Sequence, residues 1–337
     1  MNHKNIYDIA KRAGVSIATV SRVVNQSPKV SEKTKQKVLS AIEEMEYTPN
    51  VFARGLGLNS MKAVGLLCPD VADPYMAQAV AYLEKKLKIN GYNCILGCSG
   101  EQEEEKERQV KLLLSKRIDS LILIGSTYAE DKSSPYRREY LRKAAKQVPI
   151  FMINGYVEGE GIYCYYGDDY QGAYEVTKAF VACGKHRILF LSDSTTYSAR
   201  QKLAGYKAAL TESGYPILQE LKLTVRNDIG SVKERMLAYG TRNFDAVFAC
   251  NDILAIGALK YAREKGIQVP DELEVVGYNN LLMASCCEPE LTSVDNHLEQ
   301  ICESAVQDLL YVLQGNTPEM GSRKFPCEIV KRNTTSF

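Results

Sequence analysis

IYDIAKRAGVSIATVSRVVN, residues Ile6 to Asn25, describes two short helices around a tight corner. Ile6, Ile9, Ala10 and Ala13 fall at helical spacing, and Gly14 then permits a sharp turn. Ser16 can cap the second helix by accepting a hydrogen bond from a free backbone amide. Val20 and Val24, with Val15 at the turn, are expected to pack against the first helix. Ile17, Ala18, Ser21 and Arg22 are then left pointing outward. This is the plan of a helix-turn-helix, whose second helix enters the major groove of DNA. An ordinary helical hairpin inside a larger core would share the spacing.

Charge favours the DNA-facing reading. Residues 1–62 carry ten Lys or Arg and five Asp or Glu, whereas the remainder carries 32 basic and 36 acidic residues. A basic head on a slightly acidic body suits a head that meets phosphates. At 337 residues the chain exceeds one typical core, and 45% hydrophobic with 25% charged residues fits a soluble globular protein of two or three domains. The ten cysteines include no C-x-x-C and the three histidines are scattered, so reduced, mostly buried thiols are expected, with no metal and no cofactor. The N-terminus has no apolar signal core and no run approaches membrane-spanning length. An intracellular, cytoplasmic protein without a membrane partner is expected.

After Asn25 a loop leads to Ser31, the expected cap of a third helix with Val38, Ile42 and Met45 on its apolar stripe. Tyr47-Thr48-Pro49 ends it, and Asn50 can cap a short segment, VFARGLGL. Two glycines there cost roughly 0.8–1 kcal/mol each in helix propensity, so the segment is expected to become helical only when docked. Leu56 is either an apolar wedge for a minor-groove base step or a contact against the body.

The run Ile6–Asn25, followed by VSEKTKQKVLSAIEEMEYTPNVFARGL at residues 30–56, resembles the head of lactose-repressor-type (LacI/GalR family) transcription regulators. The resemblance runs through head and hinge and continues along the body to near the C-terminus. It implies that Ile17, Ala18 and Arg22 read base edges, and that Leu56, with Ala53 beside it in the hinge, is the minor-groove wedge. Chemically, Arg22 can form a bidentate contact to guanine, whereas Ile17 and Ala18 offer apolar contact such as to a thymine methyl. Tyr7, Ser16, Asn25, Ser31 and Asn50 are assigned to phosphate positioning.

From Ala63 onward, apolar runs alternate with amphipathic helices. Expected strands are Ala63–Cys68, Asn93–Leu96, Ser120–Ile124, Pro149–Ile153, Arg187–Leu191, Ala246–Ala249 and Glu274–Gly277. Expected helices include Pro74–Asn90, Gln102–Lys116, Ser198–Ser213 and Asp252–Lys265. Such alternation implies parallel sheets with helices on both faces, and ligands beyond the strand carboxyl ends. The fold expected is a small all-α helix-turn-helix head on a two-lobed α/β body like a periplasmic binding protein. The boundaries expected are 1–48 for the head, 49–61 for the hinge and linker, and 62–337 for an effector-binding and dimerisation body. Within the body, one lobe takes about 62–164 and 292–321, the other about 165–290 and 322–337.

The resemblance also supplies cleft candidates. Asp73 and Tyr75 lie in a loop like the family's Asn-Pro-aromatic-aromatic loop. Arg200, in Ser198-Ala199-Arg200, resembles an arginine that holds a sugar hydroxyl or carboxylate. Asn251 and Asp252 match an effector-contacting asparagine and its neighbour, and Asn296 matches another polar position. Tyr75 could instead be plain packing, Arg200 a surface ion pair, and Asn251 and Asp252 helix caps. Asp168-Asp169 resembles a helix start, where capping is favoured. Asn279 departs from the family, which usually has aspartate there. An amide donates as well as accepts, so either the effector differs at that point or Asn279 lies outside the contacts.

Together these features predict a DNA-binding transcription regulator, a repressor rather than an activator, acting as a homodimer on operator DNA. A small molecule, a sugar or sugar derivative, would control it from the cleft. The alternative is a sugar-binding protein of a transport system, which shares the body but has no use for the head. No phosphate loop, nucleophile elbow or metal spacing supports an enzyme.

Overall fold

The computed structural model describes residues 4–24, 27–47, 60–130, 138–239 and 243–337. They fall into two compact units divided after Ala63, with Arg117–Asp119 counted with the first.

The head contains α1 (Ile6–Ala13), α2 (Ile17–Val24) and α3 (Glu32–Glu44). Each starts on a side-chain cap. Asn5 Oδ1 accepts from the Tyr7 amide at 2.9 Å, and Asp8 accepts from the Asn5 amide at 2.9 Å, which closes a capping box. Ser16 Oγ accepts from the Thr19 amide at 3.2 Å, and Ser31 Oγ from the Thr34 amide at 3.4 Å. Gly14 ends α1 at φ 65°, the left-handed conformation that makes the corner. Ile9, Val20 and Val38 are fully buried where the helices meet, joined by Ala10, Val23 and Ala41. Val24 and Val15 pack against this core half-buried, as expected, and Val23 joins it fully; Ser21, expected to point outward, is half-buried.

The body has two six-stranded sheets. The first runs β11-β5-β4-β3-β1-β2, from β1 (Ala63–Cys68), β2 (Asn93–Cys98), β3 (Ser120–Ile124), β4 (Ile150–Ile153), β5 (Ile162–Gly167) and β11 (Ser322–Phe325). The second runs β12-β10-β9-β8-β6-β7, from β6 (Ile188–Ser192), β7 (Lys222–Thr224), β8 (Ala246–Ala249), β9 (Glu274–Tyr278), β10 (Thr292–Asp295) and β12 (Glu328–Val330). Adjacent strands β1, β3, β4 and β5 pair in parallel, as do β7, β6, β8, β9 and β10, whereas β12 is antiparallel to β10. β1, β3, β4 and β8 are buried at every position, as strands covered by helices on both faces must be.

The covering helices are α4 (Pro74–Ile89), α5 (Glu103–Ser115), α6 (Glu139–Ala145), α7 (Asp169–Ala182), α8 (Tyr197–Glu212), α9 (Ile229–Ala238), α10 (Asp252–Lys265), α11 (Leu282–Cys286) and α12 (Leu298–Leu313). All three expected crossings between lobes move by a few residues. The chain leaves the first sheet after Gly167, because β5 is one of its inner strands. It returns after Asp295, since β10 pairs with β9 while α12 joins the first lobe's core through Leu298, Ile301 and Ala305. It leaves again between Phe325 and Glu328, because β11 pairs with β5 and β12 with β10. Residues 292–295 therefore belong to the second lobe and 322–325 to the first, the reverse of the expected assignment. All ten cysteines are free, but only Cys68, Cys164, Cys250 and Cys302 are buried, so "mostly buried" was too strong. No helix among the described residues is long and apolar enough to cross a membrane.

Candidate functional site

The outward face of α2 follows from helix geometry. With Val20 and Val23 in the core, Ile17, Ala18 and Arg22 emerge into solvent, Ile17 with 39% of its surface exposed. Tyr7 is 66% exposed. Ser16 and Ser31 are exposed too, with oxygens engaged in capping. Asn25, Asn50, Ala53 and Leu56 lie outside the described residues.

In the body, the ends of strands from both lobes converge on one cleft of about 1030 Å³. Asp70 follows β1, Ser126 β3, Asn154 β4, Asp193 β6, Asn251 β8 and Asn279 β9, and all six line it. This is where a doubly wound fold places ligands.

Asp73, Tyr75, Arg200, Asn251 and Asn279 reach this cleft, as expected. Asp73 caps α4, accepting from the Tyr75 and Met76 amides at 2.9 and 3.1 Å. Its second oxygen accepts from Asn227 Nδ2 of the other lobe at 3.2 Å. Burial raises its pKa above the usual carboxylate value; the two amides oppose this, and the charge of Asp193 adds to it. Asn251 both caps α10, through the Leu254 amide at 2.9 Å, and donates to Asp193 at 3.0 Å and Asn227 at 3.2 Å. Arg200, in the first turn of α8, is half-buried and donates from Nη1 to the Thr195 carbonyl of the preceding loop at 2.8 Å. Asn279 holds φ 92°, and its buried Oδ1 has no protein partner, so the departure from aspartate falls inside the cleft.

Two expectations are corrected. Asp252 does not line the cleft. It is fully buried, with Oδ1 accepting from Ser293 Oγ at 2.6 Å and Oδ2 from the Leu281 amide at 2.7 Å. Burial outweighs both bonds and pushes its pKa up to about 6. It ties the start of α10 to β10 and to the loop after β9. Asn296 is also buried outside the cleft wall, donating from Nδ2 to Tyr75 OH at 3.2 Å. It fixes the ring of Tyr75, itself 4% exposed.

The sequence reading missed Lys202. It is 4% exposed and lines the cleft, with Nζ 2.9 Å from the Cys250 carbonyl and 3.7 Å from the centre of the Tyr278 ring. Its signal was available: a lysine on the stripe Ala199, Lys202, Gly205, Tyr206, Ala209 that α8 buries. Lys106, Arg138 and Asn154 were also missed, all buried and lining the cleft. Asn154 holds φ 61° and leaves its buried Oδ1 without a protein partner.

A three-helix head with an exposed recognition face and a two-lobed body with a ligand-sized cleft define a ligand-responsive regulator of the helix-turn-helix class. Residues 5–50 match the family described as bacterial regulatory proteins, lacI family, and residues 177–335 match a periplasmic binding protein-like domain. An HTH-type transcriptional regulator of Lachnoclostridium phytofermentans is 44% identical over 99% of this chain and 100% of its own length. Catabolite control protein A of Priestia megaterium is 30% identical, covering 98% of each chain. The structure of a Lac repressor dimer bound to operator and the anti-inducer ONPF superposes with a TM-score of 0.84 at 28% identity, covering 98% of each chain. The chain belongs to the lacI family of bacterial transcription regulators. Relatives that are regulators over nearly the whole chain, head included, set aside the transport-protein alternative.

Proposed function

We propose that the protein is a homodimeric repressor that binds a near-palindromic operator and is switched by a sugar or sugar derivative in the inter-lobe cleft. The observation that carries this is the division of α2 into a buried valine side and an exposed Ile17, Ala18 and Arg22 side. In this reading Arg22 reads guanine, Ile17 and Ala18 make apolar base contacts, and Tyr7, Ser16 and Ser31 position phosphates. Asn25, Asn50, Ala53 and Leu56 complete the DNA-facing set assigned on family resemblance. Asp73, Tyr75, Arg200, Asn251, Asn279 and Lys202 contact the effector, while Asp252 and Asn296 support them. The chain works by binding and not by catalysis.

The sugar rests on similar proteins: a Lac repressor bound to operator and anti-inducer, and a regulator, CelR, in complex with cellobiose at 26% identity and a TM-score of 0.71. The effector shifts the balance between open and closed lobes and so alters operator affinity. A coupling of about 1–3 kcal/mol gives a 5–150-fold change. Binding-site selection followed by anisotropy titration, with and without sugars that raise the melting temperature, tests the reading. A selected palindrome whose affinity changes at least fivefold with such a sugar is expected. Selection yielding no common sequence, or binding indifferent to every stabilising sugar, refutes it.

A further inference from the structure

Among the charged side chains that line the cleft, Arg200 and Arg226 share its outer part with the carboxylates, and the buried ones are all basic. Lys106, Arg138 and Lys202 are each less than a tenth exposed, and all three are cations. The lining carboxylates Asp70, Asp73, Glu101 and Asp193 are all half-buried or exposed. Among the described residues, Glu103 alone pairs with Lys106, at 2.8 Å, and with Arg138. Two buried cations thus share one carboxylate on the first lobe. On the second, Lys202 has a carbonyl and an aromatic face but no ion pair among the described residues. Asp252 feels the charge of Lys202 at a distance, but both its oxygens are committed to Ser293 and Leu281. Asp169 is a second buried carboxylate whose charge reaches the same Tyr278, but no ion pair joins it to Lys202. A buried cation without a directly paired carboxylate is costly, and in a ligand cleft an anionic ligand can complete the pairing.

Thr127 adds a donor at the same place. Its carbonyl accepts from Lys106 Nζ at 3.1 Å and from Arg138 Nη2 at 2.9 Å. Its hydroxyl is buried without a protein partner, and the residue lines the cleft. A hydroxyl left unpaired on the residue whose carbonyl holds the Lys106 ammonium and the Arg138 guanidinium can donate to an oxyanion. Lys106 keeps an ammonium hydrogen beyond its bonds to Glu103 and Thr127, as Lys202 does beyond its bond to Cys250.

We infer that the effector carries an anionic group, a phosphate ester or a carboxylate, bound by Thr127, Lys106 and Arg138 on the first lobe and answered by Lys202 on the second. This rests on the cleft being the sensor site proposed above. An anion drawn to cations on both lobes would favour the closed arrangement, which a neutral sugar would do only through hydroxyl contacts.

The test compares the full-length protein with glucose, glucose 6-phosphate, glucuronate and inorganic phosphate, by thermal shift and calorimetry. At least one anionic sugar should bind tenfold or more tightly than glucose, and the two acids separate a phosphate subsite from a carboxylate one. Thr127→Val, close to isosteric, and Lys202→Met should each erase at least threefold of that preference, with unaltered melting temperatures in the absence of ligand for Thr127→Val. Glucose binding as tightly as both acids, no binding by any anionic probe, or a preference unchanged in Thr127→Val overturns the inference. The first of these leaves the sensor role intact. A cleft ligand that binds without moving operator affinity would instead sink the sensor role and spare the anionic subsite.

Discussion

Arg22 is the long hydrogen-bond donor among the three exposed residues assigned to base reading. Arg22→Ala should cost about 1–3 kcal/mol and relax discrimination at one base pair per half-site. An unchanged motif in binding-site selection would rule out that role. Asp252 makes a prediction of a different kind. Its pKa is raised by burial to about 6 from an ordinary 3.8, so the folded state holds its proton over a window where the unfolded chain has lost it. Stability from this group is present below about pH 4 and falls as pH rises to about 6, by on the order of 3 kcal/mol. Asn can still accept from the Leu281 amide and donate to a rotated Ser293 hydroxyl. Urea unfolding at pH 4 and pH 6.5 should therefore show wild type losing stability relative to Asp252→Asn as pH rises. Parallel pH dependence in the two proteins would contradict the raised pKa.

At the scale of elements, α7 and α8 pack closely because Gly205 has no side chain. A Cβ there would stand 2.1 Å from the Tyr170 carbonyl oxygen and 2.9 Å from the Tyr174 amide nitrogen, both backbone atoms that cannot rotate away. Gly205→Ala should destabilise the body by about 1–3 kcal/mol or more, read as a lower urea midpoint. The head is the other sensitive element, since its core is small. Val38→Ala removes two methyl groups from a fully buried site, at a cost of about 2 kcal/mol including the cavity. Operator affinity should fall while effector binding, measured by calorimetry, holds. Loss of effector binding together with DNA binding would show that the head is not the only unit affected.

For the whole molecule, the hydrogen bond from Asn227 to Asp73 links the two lobes across the cleft mouth, continued by Asn251 and Asp193. Asn227 is exposed, so Asn227→Ala should leave the unfolding midpoint within about 0.5 kcal/mol of wild type. It should nonetheless shift the unliganded lobes toward the open arrangement, seen as a larger radius of gyration by small-angle scattering. An identical scattering curve would mean that this bond does not bias closure. Much of this molecule was legible in its sequence. The corner at Gly14, the caps Ser16 and Ser31 and the strands Ala63–Cys68, Ser120–Ile124 and Ala246–Ala249 follow from neighbours within a few positions, where periodicity and capping act. The lobe crossings were displaced because strand length says nothing about which sheet a strand joins; β10 and β11 are placed by partners far away in the chain. The cleft was legible only in part. A motif could mark Asn251 and Asp252 as adjacent polar residues, but α10 begins there, so one side chain faces the cleft and the next faces the core. By itself the sequence determined the helix-turn-helix, its outward residues and the alternating α/β body, because these depend on local spacing and charge. Only the tertiary structure decided that Lys202, Lys106 and Arg138 meet at one cleft with Glu103 as their one directly paired carboxylate among the described residues, because burial and electrostatic pairing are set by residues distant in the chain.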